Sequence, residues 1–263
     1  MEHHQANWGR PRNDVYGEYD FAIHNAGSHD EPTTRTLQPT VTGSSVIGIK
    51  FDKGVILAAD TLASYGSLRR FVDEQRLFQV GDQTVVGISG DVSDMQNIQD
   101  TLDQLEIEAN YDADGYPGPT APSIHMYLRR LLYYQRSRMD PLWNSILVAG
   151  FKNDEPYLAY VDLLGVTYQS GCLATGFGNY LAIPLLRKLV DNDGDEKNVT
   201  YEQARKAIEE AMKVLFYRDG RATDTYHVAV ITKEAGVQIE KTKCENMSWK
   251  FASQIKGFGT QKE

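Results

Sequence analysis

Cysteine is scarce in this 263-residue chain, and the two present, Cys172 and Cys244, are far apart and in no CxxC pairing. That excludes a cysteine-rich metal site or a disulfide scaffold and fits a reducing compartment. No run of 18 apolar residues occurs, so no transmembrane helix is expected. The first residues are polar, with no apolar stretch before Val41, which argues against a secretory signal peptide. Basic residues are in deficit, 27 Lys and Arg against 36 Asp and Glu, for a net charge of -9. That field repels a phosphate backbone, and no local basic patch offsets it, so nucleic acid is not an expected partner. What remains, with 41 % hydrophobic and 24 % charged residues, is ordinary globular usage.

Four of the six histidines (His3, His4, His24, His29) lie in residues 1 to about 40, without a repeating ligand spacing. No metal and no cofactor are expected, and residues 1–35 read as a flexible or removable leader. From Val41 the pattern turns to strands: Val46–Phe51 and Val55–Asp60 across Lys53-Gly54, then Leu77–Val80 and Thr84–Ser89 across Gly81-Asp82. A helix starts near Ser93 as N-cap, and a second opens at Ser123. Strands return at Ser145–Ala149, Tyr157–Val161 and Val166–Gln169. A third helix is expected over Asn179–Val190, and a fourth at Thr200 with Gln203 completing a capping box. Tyr226–Thr232 and Val237–Lys241 close the series. Blocks of strands and helices, rather than strict alternation, indicate an α+β domain with helices packed on antiparallel sheets.

Apparent motifs fail on context. Gly43-Ser-Ser-Val-Ile-Gly-Ile-Lys50 lies within a strand and has an extra residue before the lysine, unlike a phosphate loop. Gly176-Phe-Gly178 lacks a third glycine and an acidic partner, unlike a dinucleotide site. The arginines at 129, 130, 136 and 138 read as a solvated helix face.

A more specific constellation is spread along the chain. Thr42-Gly-Ser-Ser-Val-Ile-Gly-Ile-Lys-Phe51 with Gly54-Val-Ile-Leu-Ala-Ala-Asp60, Val85-Val-Gly-Ile-Ser-Gly-Asp91 and Tyr217-Arg-Asp219 resembles proteasome beta-type subunits. The resemblance covers roughly residues 36 to 241. It implies the N-terminal-nucleophile hydrolase fold, a four-layer αββα sandwich. Active members of that family cut a Gly–Thr bond in their own leader and use the exposed Thr as nucleophile.

Carried over residue by residue, Gly43 takes the place of the Gly before the cut and Ser44 that of the Thr. Asp60 matches the orienting Asp, Gly90 the oxyanion glycine, and Asp219 a residue near the terminal amine. Three positions depart: Arg76 stands where active members carry Lys, Phe177 replaces a Ser, and Ala222 replaces the Ser after Asp219. A guanidinium does not release its proton at neutral pH, so Arg cannot shuttle protons as Lys does. The expected state is a dismantled site, with Asp60 and Arg76 forming a structural salt bridge. The alternative is an active Ser-type hydrolase that uses Ser44.

Ser64–Phe71, Gly87–Met95 and the end of the chain resemble a non-catalytic member of the family. This implies an architectural role in a 28-subunit assembly of alpha and beta subunits, in cytoplasm and nucleus. It also implies leader cleavage near Arg35–Thr36 and a tail, residues 242–263, that reaches the opposite beta ring. The expected tail contacts are Trp249, Phe251, Ile255 and Phe258. No membrane partner is expected.

Overall fold

A computed structural model describes residues 38–111 and 118–252, which belong to a compact unit spanning Leu37–Glu263. Its order is β1 (Val41–Gly43), β2 (Val46–Phe51), β3 (Gly54–Asp60), β4 (Ala63–Tyr65), β5 (Leu68–Phe71), β6 (Leu77–Gln79) and β7 (Val85–Asp91), followed by α1 (Val92–Tyr111) and α2 (Ala121–Ser137). Then come β8 (Asn144–Lys152), β9 (Glu155–Asp162), β10 (Thr167–Gln169), β11 (Cys172–Ala174), α3 (Gly178–Leu181), α4 (Ile183–Leu186) and α5 (Tyr201–Arg218). β12 (Thr225–Thr232) and β13 (Gly236–Lys243) finish the sheets.

One antiparallel sheet runs β10-β9-β8-β7-β1-β4-β5, with β6 also on β7; the other runs β11-β2-β3-β12-β13. Side chains alternating along β3 explain its unbroken apolar run. Val55, Leu57 and Ala59 face the seam between the sheets, with Val46, Leu147, Leu158 and Ile231. Ile56 and Ala58 face the other way, onto Ile208, Ala211 and Leu215 of α5. On the far side of the first sheet, α1 and α2 bury Met95, Ile98, Leu102, Ile124, Leu128 and Leu132 against Ile88, Ile146 and Val148. The layers are therefore helix, sheet, sheet, helix, as the αββα expectation requires.

Helix starts follow the hydrogen bonds rather than the first plausible cap. Asp91, not Ser93, caps α1: its Oδ2 accepts the Asp94 N–H at 3.1 Å and the Ser93 hydroxyl. α2 begins three residues earlier than expected, because Thr120 is the N-cap and Ser123 Oγ accepts the Thr120 N–H at 2.8 Å. At α5 the box is as expected, with Gln203 Oε1 accepting from Thr200 N at 2.9 Å and Gln203 N donating to Thr200 Oγ1 at 3.4 Å. The single helix expected over residues 179–190 is instead two short ones meeting at Ala182. Pro184 supplies no N–H there and its ring cannot continue the preceding turn. Four short strands, β1, β4, β5 and β11, went unforeseen, being three or four residues long. β13 stays paired with β12 to Lys243, two residues into the segment read as tail.

Candidate functional site

Three of the unforeseen features build the site. β1 lies between β4 and β7, pairing Gly43 with Ala63 on one side and with Gly90 on the other. The chain then crosses from the first sheet into β2 of the second within two residues, Ser44 and Ser45. β11 pairs with β2 and brings the Gly176–Gly178 turn over that crossing, where Ser45 Oγ accepts the Gly178 N–H at 2.9 Å. Together with the end of α5 these segments enclose a cleft of about 670 Å³, lined by Gly43, Ser44, Gly90, Asn144, Phe177 and Asp219 among others.

Arg76 sits beneath the crossing and is fully buried. All five of its N–H groups are used. Nε donates to Asp60 O at 3.1 Å, Nη1 to Ser44 O at 2.8 Å and Ile88 O at 3.2 Å, and Nη2 to Ser45 O at 3.0 Å and to the Asp60 carboxylate. The expected Asp60–Arg76 salt bridge is present. It is only part of what Arg76 does, since four of the five bonds go to backbone carbonyls. Asp60 Oδ2 takes a further N–H from Thr223 at 3.0 Å. Burial pushes the Asp60 carboxyl up from its ordinary value, opposed by the Arg76 charge and these hydrogen bonds.

Ser44 is linked differently. Its Oγ donates to Asp219 Oδ2, while Asp219 Oδ1 accepts the Arg221 N–H at 2.9 Å. Ser44 N is an amide of the Gly43–Ser44 peptide, and strand β1 leads directly into it. The geometry thus holds the hydroxyl with a carboxylate and the carbonyl with a guanidinium, and among the described residues no lysine amine is hydrogen-bonded to either. Among the described residues no three His, Cys, Asp or Glu side chains are grouped as metal ligands would be.

Gly90 has φ +98°, and a Cβ there would lie 2.1 Å from Trp143 O, so sterics alone demand glycine at this point. Phe177 lies at the rim of the cleft, 61 % exposed, and Ala222 follows Asp219 in the turn after α5, its N–H bonding Asp219 O at 3.1 Å. The structure brings Ser44, Asp60, Arg76, Gly90, Phe177, Asp219 and Ala222 to one region. Sequence reasoning overlooked Thr223, which links Asp60 to Arg69: its hydroxyl accepts from Arg69 Nη2 at 2.8 Å. Nothing in the local pattern distinguishes it from a loop threonine.

The tail positions divide. Trp249 and Phe251 pack on α5, whereas Ile255 and Phe258, and the leader positions Arg35 and Thr36, lie outside the described residues.

The comparisons agree with this architecture. A family model described as "Proteasome subunit" matches residues 40–231. The chain is 51 % identical to a Saccharomyces cerevisiae protein named proteasome subunit beta type-7, with both chains covered completely. It is 47 % identical to a probable proteasome subunit beta type-7 of Schizosaccharomyces pombe, over 97 % of this chain and 96 % of the relative. It is also 44 % identical to proteasome subunit beta type-4 of Xenopus laevis, over 86 % and 92 %. With the layered fold and a matched segment that contains the whole cleft, the chain belongs to the proteasome subunit family, as a beta-type subunit.

Proposed function

We propose that this chain is a non-catalytic beta subunit whose work is architectural. It would fill one place in each of two seven-membered beta rings that, with alpha rings, make a 28-subunit particle in cytoplasm and nucleus. Peptide hydrolysis would then belong to neighbouring subunits. The observation that carries this reading is the saturated bonding of Arg76. A proton shuttle needs a group able to exchange a proton with the Ser44 hydroxyl or amine, and a guanidinium is unable to do so. Here that guanidinium is spent on Ser44 O, Ser45 O, Asp60 O and Ile88 O, besides the Asp60 carboxylate.

The leader would be cut near Arg35–Thr36 by an active neighbour, leaving β1 in place. Mass spectrometry of the subunit from intact particles treated with a hydroxyl-directed covalent proteasome inhibitor tests this. The expected result is an unlabelled chain that begins upstream of Val41. A chain starting at Ser44, or an adduct on Ser44, would establish the active Ser-type hydrolase instead.

A further inference from the structure

After β13 the chain lies against α5 and is gripped twice by its backbone. Lys213 Nζ donates to Asn246 O at 2.8 Å. The Tyr217 hydroxyl both accepts the Ser248 N–H at 2.8 Å and donates to Ser248 O at 3.1 Å. Lys213 and Tyr217 are four residues apart, about 6 Å along the axis, and two residues of extended chain span about 6.6 Å. The segment therefore runs roughly along α5, with Asn246 over one turn and Ser248 over the next. Both contacts reach backbone atoms, so they read position in the chain rather than side-chain type. The Tyr217 ring then meets Trp249 at 5.1 Å and Phe251 at 5.6 Å, both nearly perpendicular to it, and those two rings stack on each other at 5.7 Å. Phe216 adds a further edge contact to Trp249 at 6.1 Å. Trp249 and Phe251 nevertheless remain 54 % and 59 % exposed.

We propose that Tyr217 is a positioning residue for the C-terminal segment. Its hydroxyl fixes the register at Ser248 and so determines how Trp249 and Phe251 face outward. The ring stack alone would not do this. Edge-to-face contacts tolerate sliding, whereas a two-way bond to one residue's N–H and C=O admits a single register. The consequence for assembly rests on the reading that the tail meets another subunit; the register claim itself does not.

The test is site-resolved hydrogen exchange on particles and half-particles carrying Tyr217→Phe, which keeps the ring and removes the hydroxyl. The Ser248 amide should exchange about tenfold faster or more, while amides in the middle of α5 keep their protection. Trp249→Ala, which keeps the hydroxyl, should change Ser248 exchange less than about threefold. The proposal is overturned if Tyr217→Phe leaves Ser248 within about twofold of the parent, or if Trp249→Ala loosens it as much. Half-particles should also join more slowly with Tyr217→Phe. Loosened Ser248 with unchanged joining would support the register role and sink only the reading of the tail as an inter-subunit contact.

Discussion

Arg76 occupies the space that a side chain on Gly43 would need. A Cβ at Gly43 would lie 2.5 Å from Arg76 Cδ and 3.2 Å from its Nη1, and the same nitrogen holds Ser44 O at 2.8 Å. The Gly43–Ser44 pair that looks like the remains of a cleavage motif thus has a present structural reason. Glycine is required because the guanidinium lies against its Cα, and the following carbonyl is one of the five acceptors that make burying the charge tolerable.

It follows that Gly43→Ala should be destabilising although alanine suits a strand better than glycine. An overpacked site of this kind costs about 1–3 kcal/mol. Arg76→Ala, which removes Cδ together with the guanidinium, should relieve the clash, so the two substitutions should not add. A thermal or denaturant double-mutant cycle on the assembled subunit checks this; strict additivity would mean that the two side chains do not compete for space.

Restoring the family's nucleophile and lysine should give no activity. Arg76→Lys replaces five donors in a fixed fork by three on one atom, so at least two of the five acceptors, Ser44 O, Ser45 O, Ile88 O, Asp60 O and the Asp60 carboxylate, lose the hydrogen bond they have now. Each unsatisfied buried acceptor costs about 1–3 kcal/mol, so the variant should lose stability. Ser44→Thr with Arg76→Lys still carries Phe177 and Ala222, and residues that act as a unit are strongly non-additive in repair as in removal. Peptidase assay and covalent labelling of the double variant are the measurements. Labelling at residue 44 would show that the site is closer to competence than its bonding suggests.

The layered fold was legible because β3 is an unbroken apolar run behind a short glycine turn, because α5 carries a strong helical period, and because the cap Thr200–Gln203 is local. The site was legible only as a set of positions. That Asp60 and Arg76 would pair is expected from the family positions they take, together with their opposite charges. That Arg76 would mainly hold carbonyls, and that Ser44 would donate to Asp219 across 175 residues, depends on β1 being inserted between β4 and β7. A three-residue strand leaves too few positions for an alternation to register. The broken helix at Ala182 was visible in Pro184 and was outweighed by the apolar periodicity around it.

Acid should weaken the seam between α2 and the first sheet. His125 is buried, its Nδ1 2.7 Å from the Tyr157 hydroxyl and its Nε2 against Thr167 Oγ1 and 3.2 Å from Tyr160 O. Thr167 donates its own hydrogen to Tyr160 O at 2.6 Å, so it accepts from Nε2–H, and Nδ1 is left as acceptor for Tyr157. The ring is thus fitted in its neutral form, and burial, with the Arg129 charge adding to it, pushes its pKa below the ordinary 6.5. The folded state binds fewer protons than the unfolded one across that window. Its contribution to stability is complete above about pH 6.5 and is lost as pH falls towards the depressed folded value. His125→Gln should lower stability at pH 7 yet flatten its pH slope between 7 and 5, relative to the parent. Equal slopes in paired unfolding titrations would count against the assignment.

Truncation after Lys243 should separate folding from joining. β13 keeps its whole ladder with β12, from Thr225–Lys243 to Thr232–Gly236, so the sheet loses no strand. What goes within the described residues is Cys244, with its N–H bond to Asp224 O at 2.8 Å and its packing against the core, the Asn246 and Ser248 seat on α5, and the aromatic pair Trp249 and Phe251. Their removal exposes the rings of Phe216 and Tyr217, a local change on one helix face, and should cost the isolated fold about 1–2 kcal/mol or less. Two half-exposed aromatic side chains are more than a solvated end needs, and aromatic anchors carry a large share of interface energy. The truncated chain should therefore enter half-particles in normal amount while full particles form slowly or fall apart in salt. Native gel electrophoresis after expression of the truncated subunit reads both quantities at once. Full particles in parent yield, with no half-particles accumulating, would leave the tail without a part in joining the rings.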